Sequence, residues 1–224
     1  MRKFALIVAG GSGNRMNSPV PKQFIELNGM PLLMHTFQAF FKADANFEFV
    51  LVLPEKEIGT WENLCEKYNF NIKHLVVKGG KTRFHSVKNG LAQINQDGIV
   101  FIHDGVRPLV SAQTIENCFQ TALRKGNALP VIAPSESVRE VFNGQNKAVD
   151  RNRFFLVQTP QTFRIQLIQN AFNQEYLPEF TDDASVLENT GTQIHLVEGN
   201  RENIKITFPE DLVIAKTLLP KHNE

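Results

Sequence analysis

The chain has 224 residues, of which 42% are hydrophobic, so it is long enough to form one large domain with a sizeable core. Its formal net charge of +1 argues against a general nucleic-acid binder and against a membrane-surface protein. No segment reaches the roughly 20 apolar residues of a membrane helix, and Cys65 and Cys118 lack disulfide or metal spacing, which favours the cytoplasm.

The first predicted element is a buried strand over residues 4–8, directly before a glycine-rich loop. Further strands are predicted at residues 47–53, 74–77, 99–102 and 128–133. The helices predicted between them lie at residues 31–42, 55–68 and 111–124, and a further helix includes Ser86, Val87, Leu91 and Ile94. Strands that alternate with helices of this length predict an α/β, Rossmann-like fold with a mostly parallel sheet and helices on both faces.

The alternation ends at Pro134, where a polar stretch begins. The stretch Asn143-Gly144-Gln145-Asn146 forms a predicted turn between two short strands. We therefore expect one domain over residues 1–224, with residues 135–152 leaving it as a protruding β-hairpin arm. An isolated two-stranded hairpin is marginally stable in water, so this arm should pack on something else, such as a second subunit. Later elements are predicted at residues 164–175, 182–189 and 194–197, with a final helix from Pro209.

The loop after the first strand reads Ala9-Gly10-Gly11-Ser12-Gly13-Asn14-Arg15-Met16 and is followed by Pro21-Lys22-Gln23. Its glycines present bare N–H groups at the end of a strand, which suits phosphate oxygens. Arg15 and Lys22 add two cations to the same loop. The spacing is neither a P-loop nor a dinucleotide fingerprint, since Met16 stands where the third glycine would be. The loop therefore predicts a polyphosphate site of another kind.

Polar residues also follow the third and fourth predicted strands, in residues 79–86 and 103–108. They include Arg83, Ser86, Asp104 and Arg107, whereas His103 is expected to pack or to bond locally. The carboxyl ends of parallel strands meet at one edge of the sheet, so these residues should gather there. Cations with one or two acids, without a nucleophile elbow or a zinc spacing, favour transfer at phosphorus.

Several motifs in chain order carry a family resemblance. They are Gly79-Gly80…Arg83…Ser86-Val87, His103-Asp104-Gly105-Val106-Arg107-Pro108, Gln158-Thr159-Pro160-Gln161-Thr162-Phe163, Thr181-Asp182-Asp183-Ala184-Ser185 and Asn203-Ile204-Lys205-Ile206-Thr207…Pro209-Glu210-Asp211-Leu212. With the first loop, which resembles that of sugar-phosphate nucleotidyltransferases, they resemble the 2-C-methyl-D-erythritol 4-phosphate cytidylyltransferase family over nearly the whole chain.

The resemblance implies transfer of CMP from CTP to methylerythritol phosphate, with release of pyrophosphate, in non-mevalonate isoprenoid biosynthesis. It implies Mg²⁺ held mainly by the CTP phosphates, with no metal ligand from the protein. Arg15 and Lys22 would stabilise the transition state, and Arg151 and Lys205 would position the substrate phosphate. CTP binding would fall to Ala9, Gly10, Gly11, Gly80, Ser86 and Gly105, and substrate binding to Asp104, Arg107, Ser137, Thr159 and Thr181.

The resemblance also implies a homodimer with arm exchange, in which Arg151 acts in the neighbouring subunit's site. Without the resemblance, Arg151 and Lys205 would be interpreted as solvated surface residues. The chain departs from the family pattern at Lys81, where an acid is usual, and in the arm, where Glu136-Ser137-Val138-Arg139 replaces Asp-Thr-Ile-Lys. A contact of residue 81 with the nucleotide therefore stays open.

Three alternatives remain. A cytidylyltransferase for another polyol phosphate, such as ribitol 5-phosphate, would share the first loop and the Gln158–Gln161 motif. A nucleotide-binding module without turnover would need the loop but not Arg151 and Lys205. A nicotinamide dehydrogenase is disfavoured by Met16.

Overall fold

The computed structural model describes residues 1–10 and 20–219, and its centre is an eight-stranded sheet. The strands of this sheet are β1 (Lys3–Val8), β4 (Glu48–Leu53), β5 (His74–Lys78), β6 (Ile99–Asp104), β7 (Asn127–Ile132), β10 (Leu156–Val157), β11 (Gln161–Arg164) and β12 (Leu196–Glu198). Their order across the sheet is β10-β7-β11-β6-β1-β4-β5, with β12 paired to β7. Two short strands, β2 (Glu26–Leu27) and β3 (Met30–Pro31), pair separately.

The parallel part of the sheet is formed by β5, β4, β1 and β6. Strand β1 lies between β4 and β6, with Val8 opposite both Val52 and Asp104. Alternate residues of β1 enter the core on the two faces of the sheet, which is why this strand is an unbroken apolar run. Because these strands run in one direction, their carboxyl ends share one edge, and the α/β fold with a mostly parallel sheet is confirmed.

The sequence prediction missed strands β10 and β11, which are antiparallel. Strand β11 fits between β6 and β7 and is antiparallel to both, while β10 is antiparallel to β7. The segment that contains them has an apolar run of only four residues, 154–157, followed by Gln158, Thr159 and Pro160, and residues 161–164 show no clear alternation, so its strand signal was weak. The same segment brings Thr159 under the end of β6.

Seven α-helices are present in the described ranges, and they cover both faces of the sheet. They are α1 (Leu32–Ala43), α2 (Ile58–Lys67), α3 (Arg83–Leu91), α4 (Ala112–Lys125), α5 (Ile165–Ala171), α6 (Asp183–Glu188) and α7 (Pro209–Leu218). Helices α1 and α4 bury Phe37 and Cys118 on one face, and α3 and α5 bury Val87 and Ile168 on the other. Among the described residues, no helix is long and apolar enough to cross a bilayer.

The predicted helices agree with the structure in position and differ at their ends. The helix predicted at residues 55–68 begins with a 3-10 turn, and α2 is limited to Ile58–Lys67. The helix predicted to reach Glu175 is α5, which ends at Ala171. Helix α4 has both of its end signals, since the Ser111 hydroxyl accepts the N–H of Thr114 and Gly126 closes the helix with φ of 91°.

The arm contains strands β8 (Arg139–Phe142) and β9 (Gln145–Ala148), joined by the turn Asn143-Gly144. Both turn residues have positive φ, 48° and 78°, as a tight hairpin turn requires. Every residue of the two strands is exposed. The hairpin therefore obtains little stabilisation from its own chain.

Candidate active site

A cavity of about 280 Å³ lies at the carboxyl edge of the parallel strands. Residues from the ends of β1 and β6, from the turn before α3 and from two more distant segments line it. They are Val8, Ala9, Gly10, Lys22, Gln23, Gly80, Lys81, Thr82, Arg83, Ser86, Asp104, Val106 and Lys205. The expected convergence of loops at this edge is confirmed for residues 79–86 and 103–108 and for the described part of the first loop.

One side of the cavity is formed by the glycine-rich turn that leads into α3. The hydroxyl of Ser86 accepts the N–H of Gly80 at 3.1 Å and donates to the carbonyl of Thr82 at 3.0 Å. A side chain at Gly80 would collide with the Cβ and backbone of His85, so only glycine fits without a shift. Ser86 therefore holds the turn closed, and the turn leaves backbone groups along the cavity.

The opposite side is dominated by one carboxylate surrounded by cations. Asp104, the last residue of β6, is 7% exposed. Its Oδ2 lies 2.9 Å from Lys205 Nζ and 3.3 Å from Arg107 Nε, and its Oδ1 lies 3.8 Å from Arg83 Nε. Burial acts to raise the pKa of Asp104, but the charges of Arg83, Lys205 and Arg107 outweigh it and lower the pKa well below its usual range. Asp104 is therefore an anion throughout the physiological range.

Arg83 is fixed by a second carboxylate from far along the chain. Its two terminal nitrogens donate to Asp183 Oδ1 and Oδ2 at 2.7 and 2.6 Å, which is a bidentate pair. Burial acts to lower the pKa of Arg83, but Asp183 raises it overall, so the guanidinium stays charged. Asp183 opens α6, whose N-cap is Asp182. The Thr181–Ser185 motif thus starts a helix and anchors an arginine of the cavity.

The cavity as a whole attracts anions. Lys22, Lys81, Arg83 and Lys205 line it, and Asp104 is the only carboxylate among the described lining residues. Three cations already surround that carboxylate. The remaining positive charge suits a polyphosphate.

The described residues offer no ready-made metal site. No group of three or more His, Cys, Asp or Glu side chains comes together within residues 1–10 and 20–219. Asp104 is occupied by three cations, which disfavours direct ligation of a fourth. A divalent ion could instead be held by ligand phosphates, since Mg²⁺ usually keeps several waters and binds through one or two carboxylates plus phosphates.

The structure brings together many of the predicted site residues and leaves others apart. Ala9, Gly10, Lys22, Gly80, Ser86, Asp104 and Lys205 line the cavity. Arg107 lies behind Asp104 and donates to the carbonyl of Asn203 at 2.7 Å, and Thr159 accepts the N–H of Asp104 at 3.1 Å. Gly105 lies against Ala9 and Leu33, where a Cβ would come within 2.9 Å of both side chains. Arg15 and Gly11 lie outside the described residues.

Three predicted residues, Ser137, Arg151 and Thr181, are exposed and do not line the cavity of their own chain. Arg151 donates to the carbonyl of Ser135 at 2.6 Å, at the base of the arm. The geometry of one chain therefore assigns no role to these three side chains.

Sequence reasoning assigned no role to Gln23 and Asp183. Gln23 lines the cavity, is 1% exposed, and its Oε1 has no hydrogen-bond partner in the described part of the chain. Its only signal was its place after Lys22 in the first loop. Asp183 had the signal of a second acid beside a helix cap, but its partner lies 100 positions away.

Comparison with known proteins gives a consistent result. A family model described as 2-C-methyl-D-erythritol 4-phosphate cytidylyltransferase (IspD) matches residues 4–221. The protein of that name from Bacteroides fragilis is 52% identical over 219 residues, covering 98% of this chain and 100% of the relative. The one from Porphyromonas gingivalis is 50% identical, covering 97% and 98%.

Solved structures agree. The crystal structure of the Francisella tularensis 2-C-methyl-D-erythritol 4-phosphate cytidylyltransferase has a TM-score of 0.81 and 31% identity, covering 98% of this chain and 100% of that one. The Thermus thermophilus structure of the same name has a TM-score of 0.78 and 30% identity, covering 97% and 98%.

Proposed function

Because the chain belongs to the 2-C-methyl-D-erythritol 4-phosphate cytidylyltransferase family, it transfers CMP from CTP to methylerythritol phosphate, and we propose that this transfer takes place in the cavity beside Asp104. The reaction belongs to isoprenoid biosynthesis and releases pyrophosphate. The observation that carries the proposed location is the set of four cations lining a cavity with a single, already compensated carboxylate. A triphosphate needs that excess of positive charge.

In the proposed step, a phosphate oxygen of methylerythritol phosphate attacks the α-phosphorus of CTP. The new P–O bond forms as the bond between the α-phosphorus and the bridging oxygen of pyrophosphate breaks. No covalent enzyme intermediate is needed, so the protein acts by positioning and by stabilising charge. Lys22, which is 9% exposed and lines the cavity, is proposed to stabilise the charge that builds on the α-phosphate, together with Arg15.

The acceptor phosphate is proposed to bind at Lys205. Its Nζ donates to Asp104 at 2.9 Å, and its side chain keeps 43% exposure toward the cavity. An ammonium group has three donors, so Asp104 can hold Lys205 in place while other N–H groups meet a phosphate. Asp104 would thus orient the Lys205 ammonium group and still leave N–H donors free for the acceptor phosphate.

A homodimer with arm exchange is proposed from the exposed apolar surface of the arm and its base. Val141 and Phe142 are 70% and 75% exposed on the hairpin. Phe154, Phe155, Leu156 and Val157 after the arm, and Leu196 on β12, are also exposed. Exposed apolar side chains in this number favour a protein interface. A second copy would bury it and would take Arg151 to the neighbouring cavity.

Mg²⁺ is proposed as the metal of the reaction, held mainly by the phosphates of CTP. The donor set fits this arrangement, because the one carboxylate of the described cavity lining is already bound by cations. When bound, the ion would neutralise charge on the triphosphate. A cytoplasmic location is proposed from the two cysteines, both free, which suit a reducing compartment.

The experiment is release of pyrophosphate from CTP and Mg²⁺, with methylerythritol phosphate or ribitol 5-phosphate as acceptor. Release with methylerythritol phosphate alone is expected. Equal or faster release with ribitol 5-phosphate would agree with cytidylyl transfer as the reaction but would reject methylerythritol phosphate as the preferred acceptor. CTP binding without release for either acceptor would reject turnover and favour a nucleotide-binding module.

A further inference from the structure

His103 is a buried polar residue next to Asp104 that the reaction described above does not use. Its side chain is completely shielded from solvent, on β6. The expectation that it packs or bonds locally is confirmed, because its ring contacts Phe40 at 5.0 Å between centroids and both ring nitrogens have partners. Those partners lead to two residues of the site.

The partners fix which nitrogen carries the proton. Nε2 lies 3.0 Å from the carbonyl of Arg107, which can only accept, so Nε2 carries the hydrogen. A neutral ring with its hydrogen on Nε2 has a lone pair on Nδ1, so the hydroxyl of Thr159, which accepts the N–H of Asp104 at 3.1 Å, donates to Nδ1 at 3.0 Å. Burial lowers the pKa of His103 to about 4, which agrees with a neutral ring. The ring is a neutral bridge with one donor and one acceptor.

The His103 ring connects the residues that border the acceptor side of the cavity. The backbone turns sharply after β6, with the N–H of Arg107 bonded to the carbonyl of Asp104 at 3.1 Å. His103 holds the last carbonyl of this turn, and Thr159 holds its first N–H. The Arg107 side chain then reaches both Asp104 and the carbonyl of Asn203. One imidazole thus ties β6, the turn and the Thr159 segment together.

We propose that His103 is a positioning residue for the acceptor side of the site, holding the turn from Asp104 to Arg107 against Thr159 so that the Asp104 carboxylate faces Lys205. The proposal rests on the proposed placement of the acceptor phosphate at Lys205. It assigns His103 no contact with substrate and no proton transfer. Loss of the bridge should therefore weaken acceptor binding more than CTP binding.

Two substitutions separate the two hydrogen bonds of the ring. His103→Asn keeps an acceptor near the Nδ1 position and loses the donor to Arg107, whereas His103→Gln keeps a donor near the Nε2 position. We expect His103→Asn to raise KM for methylerythritol phosphate about tenfold, the effect of one lost buried hydrogen bond, with KM for CTP little changed. His103→Gln should restore most of the acceptor affinity.

His74 provides the matched control. Its ring is partly shielded, whereas that of His103 is completely shielded, and both of its nitrogens are engaged, to Trp61 Nε1 at 2.9 Å and to the carbonyl of Ile72 at 2.7 Å. His74 lies on β5, outside the cavity lining. His74→Asn and His74→Gln should lower the melting temperature without changing the ratio of the two KM values. This comparison separates positioning from a general loss of stability.

The result that overturns the proposal is a wild-type acceptor KM in folded His103→Asn, or equal changes in both KM values for His103→Asn and His103→Gln. Should the variants not fold, nitrogen NMR of the wild-type ring decides instead. A neutral ring with the proton on Nε2 at pH 6 supports the bridge, and a proton on Nδ1 rejects it. Failure of the proposed function would appear in the wild type, as absent turnover of methylerythritol phosphate, and not in the ratio between variants.

Discussion

Replacing Asp183 with asparagine is expected to destabilise the protein and loosen Arg83, although Asp183 is not proposed to touch substrate. Asp183 is 1% exposed and receives two hydrogen bonds from Arg83 at 2.6 and 2.7 Å. Asparagine has the same shape but no charge, so it keeps one acceptor and presents an N–H₂ group to a guanidinium. Within the described ranges, Arg83 would then keep Asp104, at 3.8 Å, as its ion-pair partner, with Asp182 as a further nearby negative charge.

The size of the effect follows from burial. Removing one partner of a fully buried ion pair costs about 3–5 kcal/mol. The Arg83 side chain is 31% exposed and can be partly hydrated, and asparagine keeps one hydrogen bond, so a loss of about 2 kcal/mol in the free energy of unfolding is expected. For a chain of this length, this corresponds to a fall of about 4–8 °C in Tm.

The measurement is urea denaturation at pH 7, with Glu55→Gln as the matched control. Glu55 and Lys78 form a pair at the same distance, 2.6 Å, but both side chains are more than half exposed, at 71% and 61%. An exposed pair contributes about 0–1 kcal/mol, so this control should be nearly neutral. A loss below about 0.5 kcal/mol for Asp183→Asn, or an equal loss for the control, would refute burial as the reason.

Three further predictions concern catalysis and pH. Lys22→Ala should lower kcat more than it raises KM for CTP, since transition-state stabilisation is lost; steady-state kinetics with an unchanged kcat would contradict its proposed role. Mixing Lys22→Ala with Arg151→Ala should restore some activity through hybrid dimers, and no recovery despite demonstrated subunit exchange would exclude action of the arm in the neighbouring site. The unfolded ring of His103 gains a proton near pH 6.5 but the folded ring only near pH 4, so stability is complete above pH 6.5 and falls below it. Between pH 7 and pH 5 the wild type should lose about 2 kcal/mol more than His103→Gln in urea denaturation, while Asp104 and Arg107, the charged groups beside the ring, act in opposite directions.

The parallel part of the fold could be predicted because each strand is a continuous apolar run bounded by glycine, proline or polar residues. Strand β6 extends two residues beyond the prediction, through His103 and Asp104, which are polar but satisfied by hydrogen bonds and ion pairs. Residues 161–164 could not be recognised as a strand. Their pairing depends on the gap between β6 and β7, which is a property of the assembled sheet.

The candidate site divides in a similar way. Lys22, Gly80 and Ser86 stand in local patterns whose chemistry is visible in the sequence, and the structure places them around one cavity. Lys205 would have been interpreted as a surface residue without the family resemblance, because its partner, Asp104, is distant in sequence. The pairing of Arg83 with Asp183 could not be recognised in the sequence for the same reason, since the two residues are 100 positions apart. Long-range electrostatic partners become visible only when the fold brings distant segments of the chain together.

The antiparallel position of β11 has a consequence for how the chain can assemble. Helix α4 connects β6 to β7, but these two strands are not neighbours in the sheet, because one strand position lies between them. That position is filled by β11, which begins only at Gln161. Until that segment arrives, two neighbouring strands present unpaired N–H and C=O groups to each other across an open slot. Unpaired strand edges are the sites at which incomplete chains associate wrongly. A nascent chain that has emerged only as far as the arm therefore exposes the unpaired edges of β6 and β7. In the finished protein these edges lie inside the sheet.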